Sequence, residues 1–200
     1  VADYVRYRPR YPRELLDWLS DVIAFARTWR VADVGSGTGI FAELLLENGN
    51  EVLGVEPNDG MRAEAEASLA RFPNFHSVNA TAEATTLPDH SVDLVSAAQA
   101  FHWFDPAATR REFHRILNPG GWVLIVFNTR VVDANAFSLG YEELLRTRAV
   151  DYTRVDHRLV DAGRLGAFFD DYRDWRHRWT KLHDIDGVVG LSGSSSYTPT

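Results

Sequence analysis

"VADVGSGTGIF" (residues 31–41) decides the fold: an apolar run holding one acid breaks into three glycines, Gly35, Gly37 and Gly39, and then into a new apolar segment. A strand that stops at a glycine turn and restarts as a helix opens an α/β sheet of the kind that binds nucleotides. A P-loop needs four residues between its glycines and then Gly-Lys-Ser/Thr, yet the single lysine of this chain is Lys181. The dinucleotide fingerprint needs its third glycine at position 40, where Ile40 stands, so the spacing is G-x-G-x-G. Such glycines let a ligand come close to the backbone, and the N-terminus of the following helix favours a carboxylate.

Outward from this turn the pattern alternates. "VADV" and "EVLGVE" (51–56) read as strands separated by a helix over 38–48, which Gly49 is placed to end. A second helix over about 58–71 puts Met61, Ala65 and Leu69 on one face, and "FHSVNA" (75–80) follows as a third strand. "SVDLVSAA" (91–98) is apolar enough to be buried on both faces. The next helix starts with Asp105 as N-cap and Pro106 in the first turn, and it stops at "NPGG" (118–121). "WVLIVF" (122–127) supplies a fifth strand, so the fold class is α/β, a doubly wound, mainly parallel sheet. After about residue 133 the rhythm gives way to a helical stretch carrying Arg146, Arg148, Arg154, Arg158 and Arg164. Near the end "DWRHRWTKL" (174–182) alternates like a sixth strand.

Glu56 stands seventeen residues beyond Gly39, at the carboxyl end of the second strand, where an acid can accept hydrogen bonds from both hydroxyls of a ribose. The ligand then combines a nucleoside with an amino-acid-like anion.

Composition narrows the class. Two hundred residues with 45% apolar and 24% charged side chains suit one soluble core, and zero cysteines exclude disulfides, thiolate zinc sites and a cysteine nucleophile. A net charge of −7 disfavours a broad nucleic-acid surface. The longest apolar stretch is far below the roughly 20 residues needed to cross a bilayer. No basic-then-apolar leader opens the chain, so the expectation is a cytoplasmic protein with no membrane contact. No metal site is expected.

At this point the chain resembles the class I S-adenosylmethionine-dependent methyltransferases of the type 11 group over residues 4 to about 130. The resemblance is carried by "VADVGSGTG", by "GVEPNDGM" and by "NATAEATTLPD", in that order. It implies a Rossmann-like fold and S-adenosyl-L-methionine as cofactor. It assigns Gly35, Gly37 and Gly39 to the methionine end and Glu56 to the ribose. Pro57 and Met61 go to the adenine face, and Ala82 with Glu83 to the adenine edge. Asp33, Ser36 and Thr38 join the cofactor set from the same turn. Many relatives carry an aspartate before the Ala-Glu pair; Thr81 stands there, with a hydroxyl that can still accept a bond from the adenine amino group.

The stretches "QAFHWF" (99–104) and "YVRYRPRYP" (4–12) further resemble trans-aconitate methyltransferase-like members of that group. That likeness implies that Tyr4 and Arg8 fold over the cofactor's carboxylate and that Ala98 and Gln99 line its methionine arm. The expected organisation is an N-terminal helical arm over the cofactor site (1–30), the cofactor-binding core (31–132), a helical lid (133–170), and strand six with the start of a truncated C-terminal segment (171–200).

The expected reaction is methyl transfer to a small-molecule acceptor, a carboxylate or another oxygen nucleophile. His102 is the candidate acid or base, since imidazole titrates near neutral pH; its bland role is to pin the Trp103 loop. Phe101, Trp103 and Phe104 could wall the acceptor pocket, and the arginines of 135–170 could select an anion. The alternatives are an NAD(P)-dependent oxidoreductase and a catalytically idle methyltransferase fold that binds another protein.

Overall fold

The apolar runs pair into one sheet in the computed structural model of the chain, which describes residues 8–149 and 162–193. Strands β1 (Arg30–Val34), β2 (Glu51–Val55), β3 (Phe75–Val78), β4 (Val92–Ala98) and β5 (Leu117–Val126) lie in the order β3-β2-β1-β4-β5. Every adjacent pair is parallel, with Asp33 opposite Gly54 on one side and Ser96 on the other. Val31, Ala32, Val34, Val52, Val55, Val92, Leu94, Val95 and Ala97 are all closed to solvent. Strands buried on both faces tolerate such near-continuous apolar sequence, which is why this pattern selects a parallel sheet covered by helices. The strand order reverses between β1 and β4, and in an open α/β sheet that switch point, beyond the carboxyl ends of the strands, is where a ligand crevice forms.

Local signals start and stop the helices α1 (Glu14–Ile23), α2 (Ile40–Asn48), α3 (Asp59–Ser68) and α4 (Pro106–Ile116). Gly49, at φ 104°, ends α2: its N–H donates to the Leu46 carbonyl at 2.9 Å, and Asn50 N–H donates to that of Leu45 at 3.1 Å. Asn58 caps α3 by accepting from Met61 N–H at 3.0 Å. Asp105 caps α4 by accepting from Ala108 N–H at 2.7 Å, with Pro106 at the first helical position. The buried Asn50 amide donates to the carbonyls of Ala26 (2.9 Å) and Trp29 (3.0 Å), fastening the connection that leads into β1.

Two differences from the sequence expectation appear. Asn118–Gly121 does not separate α4 from β5 but lies inside β5, which begins at Leu117. The ladder absorbs this with a register shift between Val92 and Leu94, Gly120 at φ 81°, and the Asn118 amide donating to Asp93 at 2.8 Å. Residues 174–182 form no strand: the described ladder ends at β5, and alternation without a pairing partner does not make a sheet.

The chain divides into two units, one of them Pro9–Phe127, which holds the whole sheet. The other includes α5 (Ala136–Arg148), α6 (Ala162–Phe168) and α7 (Ile185–Gly193). Within it Asn135 caps α5 through Ser138 N–H at 2.9 Å, and the Tyr141 hydroxyl meets Ser192 Oγ at 2.7 Å, joining α5 to α7. Arg154 and Arg158 lie outside the described residues.

The connection from β3 to β4 is held on α4 by a buried carboxylate. Thr85 donates to Glu112 Oε1 from its N–H (2.8 Å) and its hydroxyl (2.5 Å). Arg115 grips both Glu112 oxygens at 2.6 and 2.8 Å and reaches Asp89 at 2.6 Å. The guanidinium first, and the Thr85 donors after it, outweigh burial and hold the Glu112 carboxyl down at about 2 against its ordinary 4.5. A depressed acid contributes stability that is complete above its unfolded-state value and is lost as pH falls through the folded one. Glu112→Gln is therefore expected to lower the unfolding free energy by about 2 kcal/mol at neutral pH. The gap to wild type should narrow progressively from about pH 5 down to about pH 2, as read by urea denaturation.

Candidate active site

The crevice is built on the turn that leaves β1. Gly35, Gly37 and Gly39 sit at φ 68°, 56° and 82°, the left-handed region that residues with a Cβ seldom adopt. Gly35 and Ser36 N–H both donate to the Val55 carbonyl, at 2.8 and 3.2 Å, which straps the turn to the end of β2. A Cβ at Gly35 would lie 2.5 Å from Ala100 Cβ and 3.3 Å from Phe104 Cζ; one at Gly39 would lie 2.6 Å from Leu69 Cδ1. Gly35 is thus required by close packing as well as by backbone conformation, whereas at Gly39 the nearest obstacle is the end of the Leu69 side chain. Gly37 has more room, with Met61 Sδ 3.8 Å from the place of a Cβ.

Glu56 follows β2 and is only 7% exposed. Its Oε2 accepts from Gly37 N–H and its Oε1 from Asn58 N–H, both at 2.9 Å. Its carboxylate therefore bridges the glycine turn and the cap of α3. Gly39 offers no side chain to cap α2, so the first-turn N–H groups of that helix have no side-chain cap.

Beneath the turn, Asp33 is fully buried, with Oδ1 accepting from the Ser96 hydroxyl at 2.8 Å and Oδ2 without a partner. Burial pushes its carboxyl up to about 7; the Ser96 bond opposes this and the nearby Glu56 charge adds to it. Thr38 Oγ1 is likewise buried and unpartnered. Asp33 Oδ2, at the end of β1, and Thr38 Oγ1, in the turn, are thus two buried polar atoms without partners close together in sequence, an uncommon state in folded proteins.

The residues expected at the adenine edge lie after β3. Thr81 and Ala84 form an isolated antiparallel bridge, Ala82 is buried, and the Glu83 carboxylate accepts from Asp105 N–H at 3.0 Å. Glu83 therefore reaches the start of α4, a partner that neighbouring sequence does not announce. On the reacting side, β4 ends at Ala98 and the chain turns through Gln99 at φ 59°, whose N–H donates to the Val126 carbonyl at 2.9 Å. A short 3₁₀ turn (Phe101–Trp103) follows, with Phe101 buried and Trp103 63% exposed. The His102 ring lies beside those of Trp103 (4.7 Å) and Phe127 (6.1 Å).

One unit thus holds Asp33, Gly35, Ser36, Gly37, Thr38, Gly39, Glu56, Pro57, Met61, Thr81, Ala82, Glu83, Ala98, Gln99 and His102. Arg8 falls in the other unit, and Tyr4 lies outside the described residues. Sequence reasoning missed Ala100, whose contact with Gly35 makes that glycine obligatory, and Asn58, which shares the Glu56 carboxylate. The Asn58 cap was readable from its position ahead of the helix; the Ala100 contact joins elements 65 residues apart.

Residues 32–125 match the family described as "Methyltransferase domain". An uncharacterized methyltransferase of Mycobacterium bovis is 45% identical over 130 residues, which cover 65% of this chain and 51% of the relative. An uncharacterized methyltransferase-like protein of Schizosaccharomyces pombe is 36% identical over 131 residues, 65% of this chain and 50% of the relative. The solved structure of a candidate type II methyltransferase from Anaeromyxobacter dehalogenans is similar with a TM-score of 0.58 at 35% identity, over 71% of this chain and 60% of that one. The chain spans about half the length of the curated relatives it matches.

Two substitutions test the geometry of the turn. Gly35→Ala is expected to lower stability by about 2–4 kcal/mol, from a left-handed backbone and a collision with Ala100, as read by denaturant titration. Asp33 is an acid whose folded value lies above its unfolded one. The folded state binds the extra proton, so wild-type stability falls as pH rises from 3.8 to about 7 and then levels. Asp33→Asn should abolish that slope in melting temperature.

Proposed function

We propose that the protein is a class I S-adenosylmethionine-dependent methyltransferase that transfers the cofactor's activated methyl to a small-molecule acceptor, a carboxylate or another oxygen nucleophile; the methyltransferase-domain match over residues 32–125 and the similar methyltransferases support this reading. The observation that carries this reading is the state of Glu56. A carboxylate offers about four lone-pair positions. Gly37 and Asn58 take one on each oxygen, which leaves one on each for the two hydroxyls of a ribose.

The rest of the turn fits the same ligand. The uncapped start of α2 suits the carboxylate of an amino acid, and the unpartnered Asp33 Oδ2 and Thr38 Oγ1 suit its polar end. Met61, beside Gly37, is apolar and polarizable, as an adenine face requires.

When bound, S-adenosylmethionine supplies a sulfonium-activated methyl group. What the chain has to add is alignment of the nucleophile and exclusion of water. Phe104 offers apolar wall next to Gly35, and the exposed Trp103 lies beside it in sequence with its ring against His102. An acceptor that is already ionised needs no base, and His102 then serves to hold the rings of Trp103 and Phe127. With a phenol or an acidic carbon, the same imidazole is the group able to take the proton. The net charge of −7 argues for a small acceptor over a polynucleotide, and the likeness of "QAFHWF" to trans-aconitate methyltransferase-like proteins supports a carboxylate.

Thermal shift in parallel with S-adenosylhomocysteine and NADH is the test, since a ligand that binds only the native state must raise the melting temperature. S-adenosylhomocysteine is expected to stabilise and NADH is not. Glu56→Gln should weaken S-adenosylhomocysteine about tenfold or more by calorimetry. Stabilisation by NADH alone overturns the proposal.

A further inference from the structure

The segment 99–105, between β4 and α4, is held at both ends by parts of the cofactor crevice. At its start, Ala100 packs so closely on the glycine turn that a Cβ on Gly35 would lie 2.5 Å from its own Cβ, and Phe104 follows at 3.3 Å. At its end, Asp105 N–H donates to Glu83 Oε1 at 3.0 Å. Glu83 itself belongs to the bridged turn Thr81–Ala84, beside the buried Ala82.

The second attachment has a definite physical reason. A helix beginning with an Asp N-cap is often completed by a Glu or Gln three residues on, whose side chain reaches back to the N-cap N–H. In α4 that position is Ala108, which has no such group. Glu83 supplies the missing acceptor from another connection of the sheet, and its charge also suits the positive end of the helix. The turn at 81–84 and the start of α4 are therefore joined as one piece, with the aromatic segment 101–104 between the two attachments.

We propose that Glu83 is a positioning residue that transmits occupancy of the cofactor crevice to the acceptor-facing segment 99–105. The proposal rests on the cofactor reading given above. A ligand that orders the 81–84 turn fixes the Glu83 carboxylate and, through it, the Asp105 amide. Phe101, His102, Trp103 and Phe104 are then presented in one arrangement once the cofactor is in place. The acceptor wall is made firm by the first ligand.

Hydrogen exchange read by mass spectrometry tests this on the intact chain, with and without saturating S-adenosylhomocysteine. In wild type the ligand should protect both 81–84 and 99–105. In Glu83→Ala it should still protect 81–84, while the ligand-induced protection of 99–105 falls by about tenfold. Glu83→Gln keeps a carbonyl acceptor and should restore it. A merely structural role would loosen 99–105 equally with and without ligand, and that result overturns the proposal, as does unchanged coupling in Glu83→Ala. Protection of 81–84 without 99–105 in wild type also overturns it and leaves the cofactor reading intact. Failure of S-adenosylhomocysteine to bind wild type overturns both.

Discussion

The backbone at Gly35 runs so close to Ala100 that no side chain fits between them, and the organisation of the crevice follows from this contact. It brings the exit of β1 against the exit of β4 at the place where the strand order reverses. The same turn is bonded to the end of β2 through the Val55 carbonyl, so three strands deliver their carboxyl ends to one point. Once the turn is so constrained, the start of α2, Glu56 and the aromatic segment have little freedom of placement.

Three buried acids in one unit meet three fates, decided by their donors. Glu112 has a guanidinium and two Thr85 donors and stays ionised far into acid, which makes it a fastener for the β3–β4 connection. Asp33 has one hydroxyl against complete burial, and its carboxyl is pushed up to about 7. Glu56 receives two backbone amides, one on each oxygen, and has lone-pair positions beyond them. The first acid is saturated, whereas the other two retain bonding capacity beside the glycine turn.

The features legible in the sequence are those carried by neighbours along the chain. Glycine spacing, the Asp105-Pro106 start of α4 and the Gly49 stop of α2 each act within one turn of backbone, and each is where the residue pattern puts it. Glu56 was readable because strand length fixes where an acid at the end of β2 must stand. The misreadings are of another kind. Asn118–Gly121 has the composition of a turn but lies within β5 as an irregularity between the paired Leu117 and Trp122, with the Asn118 amide donating to Asp93 across the ladder. Residues 174–182 alternate like a strand and have no ladder to join among the described residues. The Glu83–Asp105 bond and the Glu112 cluster, spanning 22 and 27 residues, depend on how α4 docks, which no local pattern encodes.

The most direct test of the account is a crystal structure with S-adenosylhomocysteine. The account predicts that both Glu56 carboxylate oxygens accept from the ribose hydroxyls while Gly37 and Asn58 keep their bonds, with the homocysteine carboxylate at the start of α2. A ligand seated away from the glycine turn, or one that leaves Glu56 untouched, would contradict it.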